Sequence, residues 1–126
     1  MPIREARKIV GNKMIIGKST HSLAQAIQAE REGADYIGVG PVFKTPTKPT
    51  YGNVGLGLVR KVSRKIKIPF VAIGGIDENN IGEVIASGAQ CVAVVRAIFN
   101  APNLERAAKN LKKTILDTRC KMLDAR

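Results

Sequence analysis

Four short apolar runs, each followed by a helical pattern, constrain this chain more than any other feature. The runs occupy 14–17, 35–39, 69–73 and 91–95. They are apolar along their length instead of alternating, which indicates parallel strands buried on both faces. The segments between them read as amphipathic helices. Residues 22–32 place Leu23, Ala26 and Ile27 inward, with Gly33 as the stop; 56–65 place Val59 and Val62 on one side, with Ile66 following. Asp77 as an N-cap and Gly88 as a terminator bound a helix over 77–87. A last helix over 103–116 carries Leu104, Ala107, Ala108, Leu111 and Ile115 on its apolar side. A leading helix over 2–10 has Pro2 at its start and Gly11 just past its end. The sequence therefore predicts an α/β chain of one leading helix and four βα units.

Size limits what this pattern can build. The 126 residues suit one domain, here assigned to 1–117, with 118–126 as a frayed tail. Four parallel strands, each followed by a helix, make either a small open sheet or half of a (β/α)8 barrel. A full barrel takes about 250 residues and at least about 200, so this chain cannot close one alone.

Composition excludes several classes. The formal net charge of +11 invites a nucleic-acid partner. The basic residues are spread along the chain, however, and 4% aromatic content without tryptophan leaves few stacking platforms. With no zinc-finger or RNP1-type motif either, the charge reads as a solvated surface, and no nucleic-acid partner is expected. Cys91 and Cys120 show neither CxxC nor metal spacing, and Cys91 reads as a small buried hydrophobe, which fits a reducing compartment. No apolar run approaches a membrane span and no signal peptide is visible, so the expectation is a cytoplasmic protein.

Parallel α/β folds bind ligands at the C-terminal ends of their strands, and four sequence features fall there. Gly17-Lys18-Ser19-Thr20-His21 follows the first run, and Gly40-Pro41-Val42-Phe43-Lys44-Thr45-Pro46-Thr47-Lys48 follows the second. Hydroxyls two residues apart with a lysine on a proline-stiffened loop suit a phosphate or carboxylate. Ile73-Gly74-Gly75-Ile76 lets a backbone approach a ligand closely, and Val94-Val95-Arg96-Ala97 can present backbone N–H groups to a phosphate. Gly52-Asn53-Val54-Gly55-Leu56-Gly57 is GxxGxG without a preceding strand, so it is not a dinucleotide fingerprint. His21, the one histidine, lacks an acid in a recognisable triad, which favours a helix-start or packing role over catalysis. Ser19 has no evident base and is a ligand contact, not a nucleophile.

Taken together, in order and spacing, these motifs resemble the thiamine-phosphate synthase family over about residues 2–116. The resemblance implies a TIM barrel that joins hydroxymethylpyrimidine diphosphate to a thiazole phosphate, releasing diphosphate, with Mg²⁺. It implies that Ser19 meets the pyrimidine diphosphate and that Thr45, Pro46 and Thr47 contact the thiazole phosphate. It assigns Lys48 to the diphosphate leaving group as the catalytic residue, and Gly75, Val95 and Arg96 to the thiazole phosphate. The family's diphosphate motif and Mg²⁺-binding acids belong to strands that have no counterpart here. The chain thus resembles the C-terminal half of the barrel, with no metal ligands of its own. It is expected to bind phosphorylated small molecules, to associate as a homo-oligomer or with a complementing N-terminal half, and to lack activity alone. The related thiazole tautomerases, which move a proton, and a non-catalytic phosphate-binding or interaction module are the alternative readings. Pro41 and Lys48 favour the synthase pattern over the tautomerase.

Overall fold

The computed structural model describes residues 1–44 and 54–124. The elements run α1 (Ile3–Val10), β1 (Gly17–Thr20), α2 (Leu23–Arg31), β2 (Tyr36–Val39), α3 (Gly55–Lys65), β3 (Phe70–Ile73), α4 (Ile81–Ala86), β4 (Cys91–Ala93), α5 (Arg96–Phe99) and α6 (Leu104–Asp124). The four strands form one parallel sheet in the order β1-β2-β3-β4. Gly17 registers with Tyr36, Ile37 with Phe70, and Val71 with Cys91.

The core lies on one side of this sheet. Ile37, Val39, Phe70 and Ala72 are buried against Ala26 and Ala29 of α2, Val59 and Val62 of α3, Val84 and Ile85 of α4, and Leu111 of α6. Full burial of one such Ile or Val side chain contributes about 1.5–3 kcal/mol. The exposed Lys109–Glu105 pair at 3.0 Å on α6 contributes only ~0.3–0.5 kcal/mol. Packing, not surface charge, therefore holds the helices on the sheet.

The strands were expected to be buried on both faces, and the structure corrects this. Side chains alternate along a strand, and the residues between the buried ones lie on an uncovered face. Tyr36 is 41% exposed and Ile73 44% exposed, Ser19 and Cys91 are exposed, and Val71 is half-buried. Among the described residues no layer packs on this face. The apolar strand composition is thus only half used by the described chain.

Several boundaries move. The apolar run at 14–17 is not the first strand: Met14 and Ile15 are 55% and 72% exposed. The ladder begins at Gly17 because the loop before it is fastened to the neighbouring strand. Asp35 N–H donates to Ile16 O at 2.8 Å, and the Asp35 carboxylate accepts from Ile16 N–H at 2.8 Å. The last strand stops at Ala93, since Val94 and Val95 leave it to start the unexpected short helix α5. Asp77 opens a turn instead of α4, its carbonyl accepting from Asn80 N–H at 3.3 Å and Ile81 N–H at 2.9 Å. Residues 118–126 were expected to fray, yet α6 continues to Asp124. Thr118 Oγ1 donates to Thr114 O at 2.8 Å, Arg119 donates to Gln90 O, and Met122 packs against the core.

At the N-terminal ends of the strands, Arg7 of α1 gathers the neighbouring loops. Its guanidinium donates to Gly11 O at 3.3 Å, to Gly33 O at 3.1 Å, to Met14 O, and to Asp35 Oδ2 at 2.9 Å. The Arg7 hydrogen bond, followed by that from Ile16 N–H, holds the Asp35 carboxyl below its ordinary value of 3.8, against the opposing effect of desolvation. The folded state therefore binds this proton less readily than the unfolded state. The stabilisation is present above the ordinary Asp range and is lost as pH falls through the depressed folded value. The urea midpoint of the wild-type chain should fall toward that of Asp35→Asn as pH drops below about 4. An unchanging gap between the two across that range would contradict this linkage.

Candidate functional site

The parallel sheet sends all four strand ends to one side, and the exits of β2 and β3 interlock there. Val42 N–H donates to Ile73 O at 3.0 Å and Phe43 N–H to Gly74 O at 3.1 Å. From the other flank, Val54 N–H donates to Pro41 O at 2.8 Å and Gly55 N–H to Val42 O at 3.0 Å. The peptide bond between Gly40 and Pro41 is cis. Glycine is required for this approach. A Cβ on Gly40 would stand 2.1 Å from Ile73 O, and one on Gly74 would stand 2.6 Å from Pro41 Cα. Gly74 also has φ of 109°, a conformation that other residues rarely adopt.

β1 holds the same segment from its opposite side. Gly40 N–H donates to Thr20 O at 3.3 Å, and the His21 ring Nδ1 lies 2.6 Å from Gly40 O. Thr20 is buried and donates through Oγ1 to Gly38 O at 2.7 Å, which leaves Ser19 on the uncovered face. Ser19 registers with Gly38, and Gly38 with Val71. With no side chain at Gly38, the surface beside the Ser19 hydroxyl is open.

Gly75 and Val95 each lie two residues beyond the registered pair Ile73 and Ala93. Two of the expected phosphate contacts therefore follow the ends of adjacent strands, β3 and β4. Gly75 is exposed and stands against the segment leaving β2; a Cβ there would lie 2.9 Å from Phe43 Cβ and 3.1 Å from Lys44 O. Val95 is 61% exposed at the N-cap position of α5, and its carbonyl accepts from Ile98 N–H at 3.2 Å and Phe99 N–H at 2.9 Å. The N–H groups of Arg96 and Ala97 precede that ladder, as the first donors of any helix do. Arg96 is exposed. Ser19 sits on β1, across β2 from this pair, inside the strand and not beyond it. Thr45, Pro46, Thr47 and Lys48 lie outside the described residues. Lys44 and Val54, which flank them, are both placed at the interlocked exits.

Sequence reasoning missed Asn80. Its Nδ2 donates to Gly75 O at 2.8 Å, and its Oδ1 accepts from Asp77 N–H at 2.8 Å. Asp77 Oδ1 accepts from Asn79 N–H at 2.8 Å and Asn80 N–H at 3.2 Å. The signal was present as Asp77-x-x-Asn80, one residue after Gly74-Gly75: two side chains able to bond local backbone in a turn. Asn80 fixes the Gly75 carbonyl and with it the peptide plane of the Ile76 N–H, while the Gly75 N–H shares a plane with Gly74 O, which Phe43 N–H holds at 3.1 Å.

The described residues contain no group of three or more His, Cys, Asp or Glu able to hold a metal ion. Residues 45–53 carry none of these four types. These residues do not fit a Mg²⁺ cage. A cavity of about 220 Å³ lies at the other end of the sheet, beside Phe70 and Cys91, which begin β3 and β4. It is remote in topology from the interlocked exits. Among the described residues no helix is long and apolar enough to cross a membrane.

Because the Gly40 clash is with backbone, no side-chain rotation relieves it. Gly40→Ala should cost about 1–3 kcal/mol of stability, read as a lowered urea midpoint with unchanged slope. A neutral substitution would mean that the β2 exit does not press on Ile73 as described.

Comparison with known proteins places this geometry in a family. The profile of the thiamine monophosphate synthase family matches residues 1–98. The thiamine-phosphate synthase of Pelotomaculum thermopropionicum is 49% identical over 116 residues, covering 91% of this chain and 53% of that protein. That of Chloroflexus aurantiacus is 44% identical over 124 residues, covering 98% of this chain and 57% of that protein. The solved structure of the thiamine phosphate pyrophosphorylase from Pyrococcus furiosus superposes with a TM-score of 0.83 at 41% identity, covering 94% of this chain and 56% of that one. The chain spans about half the length of these relatives. With this identity sustained over nearly all of its residues, the chain belongs to the thiamine monophosphate synthase family.

Proposed function

We propose that this chain supplies the thiazole-phosphate side of a thiamine-phosphate synthase and forms the C-terminal half of a (β/α)8 barrel. The observation that carries the activity is the 49% identity to a thiamine-phosphate synthase across 91% of the chain. The half-barrel reading draws on three further observations. One sheet face is uncovered, β1 and β4 each have a single neighbour among the described strands, and the relatives are about twice as long.

On this reading, backbone N–H groups of Gly75, Val95 and Arg96 bind the thiazole phosphate, with the Arg96 guanidinium adding charge. The bond from Phe43 N–H to Gly74 O orients the peptide plane of the Gly75 N–H, and Asn80 holds the Gly75 carbonyl on the other side of that residue. Ser19 donates to the pyrimidine diphosphate from the uncovered face, and Thr45, Pro46 and Thr47 complete the thiazole contacts. The reaction breaks the C–O bond between the pyrimidine methylene and diphosphate, and the electron pair leaves with diphosphate. The thiazole nitrogen then gives its lone pair to the methylene carbon, forming the C–N bond. Lys48 stabilises charge on the departing diphosphate. No protein nucleophile is needed, in keeping with the reading of Ser19 as a donor. Mg²⁺, which supplies further stabilisation of the leaving group, takes its ligands from outside this chain.

Turnover with both substrates and Mg²⁺ tests this. The purified chain alone should give no thiamine phosphate above background. Adding the segment of the Pelotomaculum relative that lies outside the matched region should restore product. In that restored reaction Lys48→Ala should lower kcat by a factor on the order of 10²–10³. Robust turnover by the chain alone would overturn the incomplete-site reading, and restored turnover insensitive to Lys48→Ala would overturn its assigned role.

A further inference from the structure

We propose that His21 is a positioning residue, whose ring clamps the Gly40 carbonyl and thereby holds the Gly40-to-Phe43 segment in place on the β3 exit. Nδ1 lies 2.6 Å from Gly40 O. A carbonyl oxygen can only accept, so Nδ1 carries the proton in this contact. The histidine is itself held from behind. Its backbone N–H donates to Gln25 Oε1 at 2.8 Å, while Gln25 N–H donates to the side chain of Ser22, the N-cap of α2, at 3.1 Å. The start of α2 therefore anchors the residue that grips the β2 exit.

The grip comes where the segment has least freedom. Gly40 is fixed at its N–H by Thr20, the last residue of β1, and at its carbonyl by His21, the next residue, and two residues on the chain must meet Ile73 and Gly74 through Val42 N–H and Phe43 N–H. Releasing the Gly40 carbonyl removes one of the two ties that hold Gly40; because the Pro41 ring stiffens the link to Val42, a displacement of Gly40 is passed on to the two downstream bonds. Phe43 and Lys44 in turn border Gly75. The effect on a ligand rests on the function proposed above; the clamp itself does not.

The test separates the two. His21→Leu keeps bulk without a donor, and His21→Asn keeps an N–H near the Nδ1 position. Amide hydrogen exchange is read in the full chain at Val42 and Phe43, with Ile37, which donates to Pro69 O at 3.1 Å in the sheet, as the control. His21→Leu should speed exchange at Val42 and Phe43 by about fivefold to tenfold and leave Ile37 unchanged. His21→Asn should restore protection. If the Leu variant does not fold, His21→Ala is read in the same way. Unchanged exchange at Val42 and Phe43, or an equal rise at Ile37, overturns the proposal. Thiazole phosphate is then titrated into each variant. Weaker binding by the Leu variant, recovered by Asn, extends the clamp to the ligand. No binding by any form, with the exchange pattern intact, leaves the clamp standing and counts against the thiazole-phosphate reading instead.

Discussion

Everything at the strand ends depends on one backbone-to-backbone contact, between the exit of β2 and the exit of β3. Two N–H groups, of Val42 and Phe43, reach two carbonyls, of Ile73 and Gly74. Only glycine at 40 and 74 lets the chains come this close. The contact gives each exit a fixed partner, so loops that would otherwise wander are set relative to one another. Asn80 extends that order to Gly75, and His21 extends it back to β1. A phosphate site made from backbone N–H groups needs such order, because its donors have no side-chain rotamers with which to adjust.

The two ends of the sheet divide the work. At the N-terminal ends, charged side chains tie loops together. Arg7 and Asp35 join α1, β1 and β2, and the Glu30 carboxylate accepts from Lys67 N–H at 2.7 Å and Ile68 N–H at 3.2 Å, joining α2 to the approach of β3. At the C-terminal ends the ties run mostly through backbone, leaving exposed groups such as Ser19, Gly75 and Arg96 available. The side-chain ties and the groups assigned to binding in the proposed function thereby lie at opposite ends of the same layer. The uncovered sheet face runs between these ends, with Ser19 toward the C-terminal ends of the strands and Tyr36 toward the N-terminal ends.

Much of this was legible in the sequence. Continuous apolar runs predicted parallel strands, and Gly-Pro and Gly-Gly motifs after two of them located the interlocked exits. What misled was the equation of hydrophobicity with strand. Met14 and Ile15 are apolar but exposed, while the ladder follows Gly17-Lys18-Ser19-Thr20, whose register with β2 is set by Asp35. The same equation predicted burial on both faces, because composition records what a strand can bury and not what is present to bury it. α5 and Asn80 were invisible for a different reason. A single helical turn has no periodicity to detect, and a side chain that holds a backbone carbonyl is recognised only when the turn is known.

In the proposed function the exits of β3 and β4, ordered by the β2 exit, bind the phosphate of a thiazole phosphate. The most direct measurement is a backbone amide NMR titration of the chain with that compound. Binding as described shifts the amides of Gly75, Val95, Arg96 and Ala97 in a saturable way and leaves those of Ile16 and Asp35, at the other end of the sheet, in place. Saturable shifts confined to the Arg7–Asp35 end, or none at Gly75 and Arg96 at saturating ligand, would place the phosphate elsewhere or exclude it.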